Sequence, residues 1–141
     1  MNLEFLDDLQ DPYLQTAQGR GVFLAGVLLG YIAHRQVGNQ KDEIGKAPLF
    51  KQIQFGRMTM KQVKSLLARV PQLIVAYQSD IAQSAWNLSN LTGTVGRFLL
   101  EGEGGELGAE GNFAFAVGFT NANDYYWRIF KPQTGAQPQN A

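Results

Sequence analysis

His34 is the sole histidine of the chain, so catalysis of the Ser–His–Asp kind would have to run through it. It stands at the end of an apolar run beside Arg35. A helix C-terminus favours cationic side chains there, which accounts for both residues without chemistry. The chain has no cysteine, which removes thiolate catalysis, Cys-ligated zinc and iron–sulfur clusters together. Asp7, Asp8 and Asp11 lie close in sequence, but their spacing is not that of a calcium loop, and they read as solvated charge. The stretch 101–111, EGEGGELGAEG, is glycine-rich. It departs from G-x-G-x-x-G, and its acids would repel phosphate. No metal, cofactor or enzymatic activity is expected.

Charge carries the sharper signal. Lysine plus arginine and aspartate plus glutamate each number 12, so the net charge is zero. The signs are nevertheless segregated. Residues 1–19 hold Glu4, Asp7, Asp8 and Asp11 and no base. Residues 20–69 hold nine bases against Asp42 and Glu43, a net +7, and residues 70–141 hold three bases against six acids, a net −3. Such asymmetry points to an anionic partner. Lys46, Lys51, Arg57, Lys61, Lys64 and Arg69 are the candidate contacts, with Arg20 and Arg35 as secondary ones. Cations of this kind hold nucleic-acid backbones without reading sequence, and the hold weakens with salt. An acidic protein partner, or a solvated face balanced by acids elsewhere, stands beside that reading.

The elements that must position these residues read as helices. Asp11 as N-cap and Pro12 at the first helical position open a helix expected over about 13–36. Its middle, Val22–Ala33, is apolar on every side and predicts a buried core helix. It falls short of the about 20 residues that span a bilayer, and the acidic N-terminus is not that of a secretory signal. Gly26 and Gly30 share one face and predict close approach of another helix. Gly38 and Asn39 end the helix, and a polar linker runs to Lys46. Pro48 opens a short helix to Phe55, stopped by Gly56.

Thr59 and Gln62 form a capping-box pair at the start of a helix over 60–70. Met60, Val63, Leu67 and Val70 are expected on its core side, with Lys61 and Lys64 on the other. Pro71 kinks the chain or begins the next helix, whose 3.5-residue seam runs from Ile74 to Phe98. The weak points of that helix are 87–90 and 93–96. Residues 101–111 are expected as an exposed, mobile loop. Residues 113–130 carry seven aromatics. They favour a helix, with a strand over 113–119 as the alternative, and read as core or docking surface rather than a base-stacking platform. Residues 1–131 are expected to form one domain, and 132–141 a disordered tail.

Three segments in this order, GVFLAGVLLGYIAHRQ (Gly21–Gln36), PLFKQIQFGRMTMKQVKSLLARVPQLIVAY (Pro48–Tyr77) and GNFAFAVGF (Gly111–Phe119), resemble the C-terminal helical domain of the large subunit of type I-B CRISPR effector complexes. That family also makes the domain separately, as the small subunit. The resemblance implies an all-α bundle of about five helices. It also implies a cytoplasmic, non-catalytic subunit that stabilises the hybrid of guide RNA and target DNA and the displaced non-target strand. Its partners would be the large subunit, the backbone subunit, further copies of itself, guide RNA, and target and non-target DNA. No membrane is implied. The basic residues between Lys46 and Arg69 match the role, and Arg97 and Arg128 would serve subunit contacts. Opening at Met1 directly before the domain fits the free small subunit, with an excised large-subunit domain as the alternative. A helical protein–protein adaptor with an acidic partner is the other reading of the same basic face.

Overall fold

Among the described residues the longest helix, α1 (Ala17–Gln36), is also the most buried. A computed structural model describes residues 1–38, 41–77, 81, 84–102 and 105–131. The expected tail over 132–141, the Asn39 cap and part of the 101–111 stretch lie outside the described residues. α1 starts four residues later than its sequence suggests. Asp11 does cap Pro12, but only into a 3-10 turn over Pro12–Gln15. The Thr16 hydroxyl then accepts from the Gly19 amide at 2.9 Å and caps α1 itself. From Val22 to Ala33 every position is buried, so the helix is enclosed on all faces.

The remaining α-helices are α2 (Pro48–Lys51), α3 (Met60–Ala68), α4 (Val70–Ala76), α5 (Ala85–Glu101), α6 (Gly108–Thr120) and α7 (Ala122–Phe130). Further 3-10 turns lie at Glu4–Asp8 and Lys41–Lys46. The described residues thus form an all-α bundle of seven α-helices, with no strand, rather than about five. Three breaks between helices have local causes. Pro71 sits in the first turn of α4, so the chain restarts a helix there instead of kinking one. The long seam expected from Ile74 to Phe98 is interrupted, because α4 ends at Tyr77, whose backbone leaves the helical region. The aromatic segment is helical throughout, which removes the strand alternative, but Asn121 divides it into α6 and α7.

The glycine expectation is met closely. α1 crosses α6 so tightly that a Cβ on Gly26 would lie 2.3 Å from the Phe115 carbonyl oxygen, and one on Gly30 2.4 Å from that of Phe119. Gly118 of α6 answers from the other side, 2.4 Å from the Phe23 carbonyl oxygen by the same construction. No other residue fits there without moving backbone. α5 and α7 close the remaining sides of α1. Tyr31 of α1 stacks on Tyr126 of α7 at 4.0 Å. Their hydroxyls meet Ser84 at 2.8 Å and Asn87 at 3.0 Å, so the buried phenols keep partners.

The shape of the α5–α6 connection also departs from expectation. Helix occupies Glu101 and resumes at Gly108, whose φ of +66° suits glycine. Between them Gly105 and Glu106 are exposed, as expected, whereas Leu107 is buried and Gln18 of α1 donates to the Glu106 carbonyl at 3.2 Å. Nearby Tyr13 is half-buried, and burial raises its pKa above the ordinary phenol value; the Gln18 hydrogen bond opposes this, and Glu110 and Asp11 reinforce it. No helix among the described residues is long and apolar enough to cross a membrane.

Candidate nucleic-acid interface

α3 owes its start to its own first residues. The Thr59 hydroxyl accepts from the Gln62 amide at 3.1 Å, and the Gln62 side chain accepts from the Thr59 amide at 2.8 Å. Such reciprocal capping contributes about 1 kcal/mol. Met60, Val63 and Leu66 are buried. Leu66 takes the place expected for Leu67, which is only partly covered. Lys61, Lys64, Ser65 and Ala68 face solvent at spacings of three and four, one continuous face of the helix.

Two polar ties hold this helix in place, and neither was anticipated. Asn112 of α6 is buried. Its oxygen accepts from the Met58 amide at 2.7 Å, and its amide donates to the carbonyls of Met58 at 3.1 Å and Gly108 at 2.8 Å. This pins the extended segment before α3 to the core, just past the turn where Gly56 has φ +85° and Arg57 projects into solvent. At the other end, Arg69 caps α3 and donates to the side-chain oxygen of Gln52, next to exposed Lys51 at the end of α2. Asparagine, so often a turn residue, gives no sequence signal for such a buried bridge.

Grooves flank the α3 ridge. One, of about 290 Å³, lies against Gln52 and is lined by Lys61, Gln62, Ser65 and Arg69. The other, of about 580 Å³, lies between α3 and α5 and is lined by Lys64, Leu67, Gly93, Gly96, Arg97 and Leu100. Arg97, isolated in sequence, therefore joins the cationic set beside Lys64. Among the described residues no acid pairs with Lys51, Arg57, Lys61, Lys64, Arg69 or Arg97. The ion pairs present are Lys46–Glu43 at 2.7 Å and Arg20–Asp7 at 2.9 Å.

The remaining expected contacts sit elsewhere. Lys46 is exposed but carries that surface ion pair. Arg20 is committed inside the fold: besides Asp7 it reaches the Leu14 carbonyl at 2.8 Å and Gln15 at 2.7 Å. Arg35 donates to the Tyr31 hydroxyl at 2.9 Å and lies 4.6 Å from that ring's centre. Arg128 packs over Phe5 and Tyr125. Among the aromatics, Phe115, Phe119 and Tyr126 are core, whereas Trp86, Phe113 and Trp127 are exposed. His34 is buried, with Nδ1 2.7 Å from the Gly30 carbonyl oxygen. No group of three potential metal-ligating side chains occurs among the described residues.

A nine-residue helix rises about 13 Å, the length of roughly four nucleotides at 3.4 Å per step. The ridge can therefore follow a short run of phosphates, and nothing in it is arranged to read base edges. No curated protein and no solved structure matches the chain. One family does: the model described as the CRISPR-associated protein TM1802 C-terminal domain matches residues 2–133. With nearly the whole sequence covered, the chain belongs to the CRISPR-associated TM1802 C-terminal domain family.

Proposed function

We propose that the chain is a non-catalytic subunit of a CRISPR RNA-guided effector complex of the Cascade type, working in the cytoplasm. It stabilises the hybrid of guide RNA and target DNA and the displaced non-target strand by gripping their backbones. The observation that carries this is the α3 ridge, where Lys61 and Lys64 stand exposed between two grooves. Lys51, Arg57, Arg69 and Arg97 accompany them, and none of the six has an acidic ion-pair partner among the described residues. Displaced single strands are held in positively charged channels by contacts that ignore sequence. The large subunit, the backbone subunit and further copies of the chain are the partners that would align several such ridges. A net charge of zero makes the isolated interaction weak and gives alignment its value.

The test is charge reversal of Lys61 and Lys64 in the assembled complex, with R-loop formation followed at several salt concentrations. The proposal expects weaker non-target-strand binding at unchanged helix content. Unchanged R-loop formation with the original salt dependence sinks it.

A second reading, the protein–protein adaptor, draws on Trp86, Leu100, Phe113 and Trp127, which present large apolar side chains to solvent. Under that reading the basic ridge meets an acidic protein, and purification of the chain from cells recovers partners but no guide RNA.

A further inference from the structure

A cavity of about 250 Å³ opens where the last turns of α1 and α6 meet the first turn of α7. It is separate from the α3 ridge, although α2 borders both, turning Phe50 into this cavity and Gln52 toward Arg69. His34, Phe50, Thr120, Asn121 and Asp124 are among its walls. Asn123 lines it too, and the side-chain hydrogen atoms of His34, Thr120 and Asn121 are already committed. His34 is 7% exposed, and its Nδ1 lies 2.7 Å from the Gly30 carbonyl oxygen. A carbonyl only accepts, so the ring proton sits on Nδ1, and in the neutral imidazole Nε2 is an acceptor. The Thr120 hydroxyl donates to the Ala116 carbonyl at 2.9 Å. Both protons of the Asn121 amide are used, toward the Val117 carbonyl at 3.0 Å and the Thr120 oxygen at 3.3 Å.

With the imidazole neutral, what these four residues leave for a visitor is a set of acceptors: Nε2 of His34, the Thr120 hydroxyl oxygen, the Asn121 side-chain oxygen and the Asp124 carboxylate. No cation lines the cavity among the described residues. Two helix C-termini add negative potential and one N-terminus opposes it, with Asp124 in that N-terminal turn. Phe50, half-buried, supplies an aromatic wall.

We infer that this cavity receives the guanidinium of an arginine side chain from a partner protein. A guanidinium carries five donors and no acceptor, and its plane suits an aromatic face. The volume suits one long side chain rather than a drug-sized ligand. The inference stands apart from the nucleic-acid reading, since it concerns a different surface and a ligand of opposite charge.

The experiment titrates the isotope-labelled chain with capped arginine, capped lysine and capped citrulline, following the His34 ring and the backbone amides of 120–124 by NMR. Capped arginine is expected to shift these signals with a Kd on the order of 1 mM. Capped citrulline, which keeps the shape and loses the charge, is expected to leave them in place. Asp124→Asn, at an exposed position, is expected to weaken arginine about tenfold, because a charge-assisted hydrogen bond is lost. Asp8→Asn on the acidic N-terminus is expected to change nothing. Equal binding of citrulline, equal binding of lysine, an Asp124→Asn variant that binds as before, or no shift with arginine at about 50 mM each overturns the assignment.

Discussion

Replacing Lys61 and Lys64 together by alanine isolates the electrostatic contribution of the α3 ridge. The structure supplies the count: Lys51, Arg57, Lys61, Lys64, Arg69 and Arg97 are the cations of the set without an acidic partner among the described residues. If each meets one phosphate of a single strand, log Kobs falls with log salt at a slope of about −4, from 0.7 per contact. Removing two contacts leaves a slope of about −3. At 0.1 M salt each contact contributes about 1 kcal/mol, so the double variant loses about 2 kcal/mol, or roughly 25-fold in affinity. Between about 50 and 200 mM salt the parent chain should weaken about 300-fold and the variant about 50-fold. Fluorescence anisotropy with a labelled single-stranded oligonucleotide measures both slopes. Alanine is the better helix former at exposed positions, so far-UV circular dichroism should show no loss. Equal slopes for parent and variant would refute the reasoning, because a ridge that contacts phosphates cannot lose two cations without losing counterion release.

Further outcomes follow from the interior. Gly30→Ala should lower Tm by several degrees, because its Cβ would stand 2.4 Å from the Phe119 carbonyl oxygen and overpacking costs about 1–3 kcal/mol. Gly93→Ala plus Gly96→Ala should instead raise Tm, since an added Cβ meets nothing within 4 Å at either position and each exchange gains up to about 1 kcal/mol of helix propensity; thermal melts that move all three variants the same way would contradict the packing described. Asn112→Ala should cost about 2–3 kcal/mol, by leaving the Met58 amide without its acceptor, and hydrogen exchange should rise over 54–60 while the middle of α1 stays protected. Burial raises the Tyr13 pKa in the folded chain, so this group's contribution to stability is full below about pH 10 and is lost as pH climbs through the folded value. Denaturant titrations of Tyr13→Phe should accordingly show a shallower loss of stability above about pH 10 than the parent.

The parts of the fold that sequence reveals are those decided by neighbours along the chain. The capping box at Thr59 and Gln62, the enclosed run of α1 and the exposed side of α3 are all readable, because each depends on residues three or four apart. Gly26 and Gly30 are a partial exception. They announce a close helix, but Gly118, which completes the crossing, is as silent as any loop glycine until α6 is laid against α1. What sequence could not show is decided across distance. Thr16 outcompetes Asp11 for the start of α1 because Gly19 can sit against Tyr13. Asn112 reaches Met58 from another helix, and Arg97 comes beside Lys64 only across the groove between α3 and α5. Arg20 and Arg35 look like free cations in sequence and turn out to be ties within the fold, since a side chain's partners do not follow from its charge.

The distribution of the cations has an energetic consequence for the binding reading. α1 is stabilised by burial from Gly21 to His34, and its own bases Arg20 and Arg35 are satisfied internally. α3 buries three side chains and depends for its position on the Asn112 bridge, the capping box and the Arg69–Gln52 contact. Lys61 and Lys64 on this short element, and Lys51, Arg57, Arg69 and Arg97 outside it, have no acidic partner among the described residues. Two like charges about 10 Å apart in water repel by roughly 0.4 kcal/mol before screening, so neighbouring cations of the set cost a few tenths of a kcal/mol per pair at low salt. Under the binding reading an anionic strand would relieve that repulsion, and the relief would appear only when the cations face the same partner. A ridge whose lysines were matched by local acids would be more stable and would lose this gain. Under the binding reading, the absence of acids from 44–69 is a local sacrifice of stability of the kind associated with binding sites. The hydrophobic crossing of α1 and α6 supplies the reserve that tolerates it.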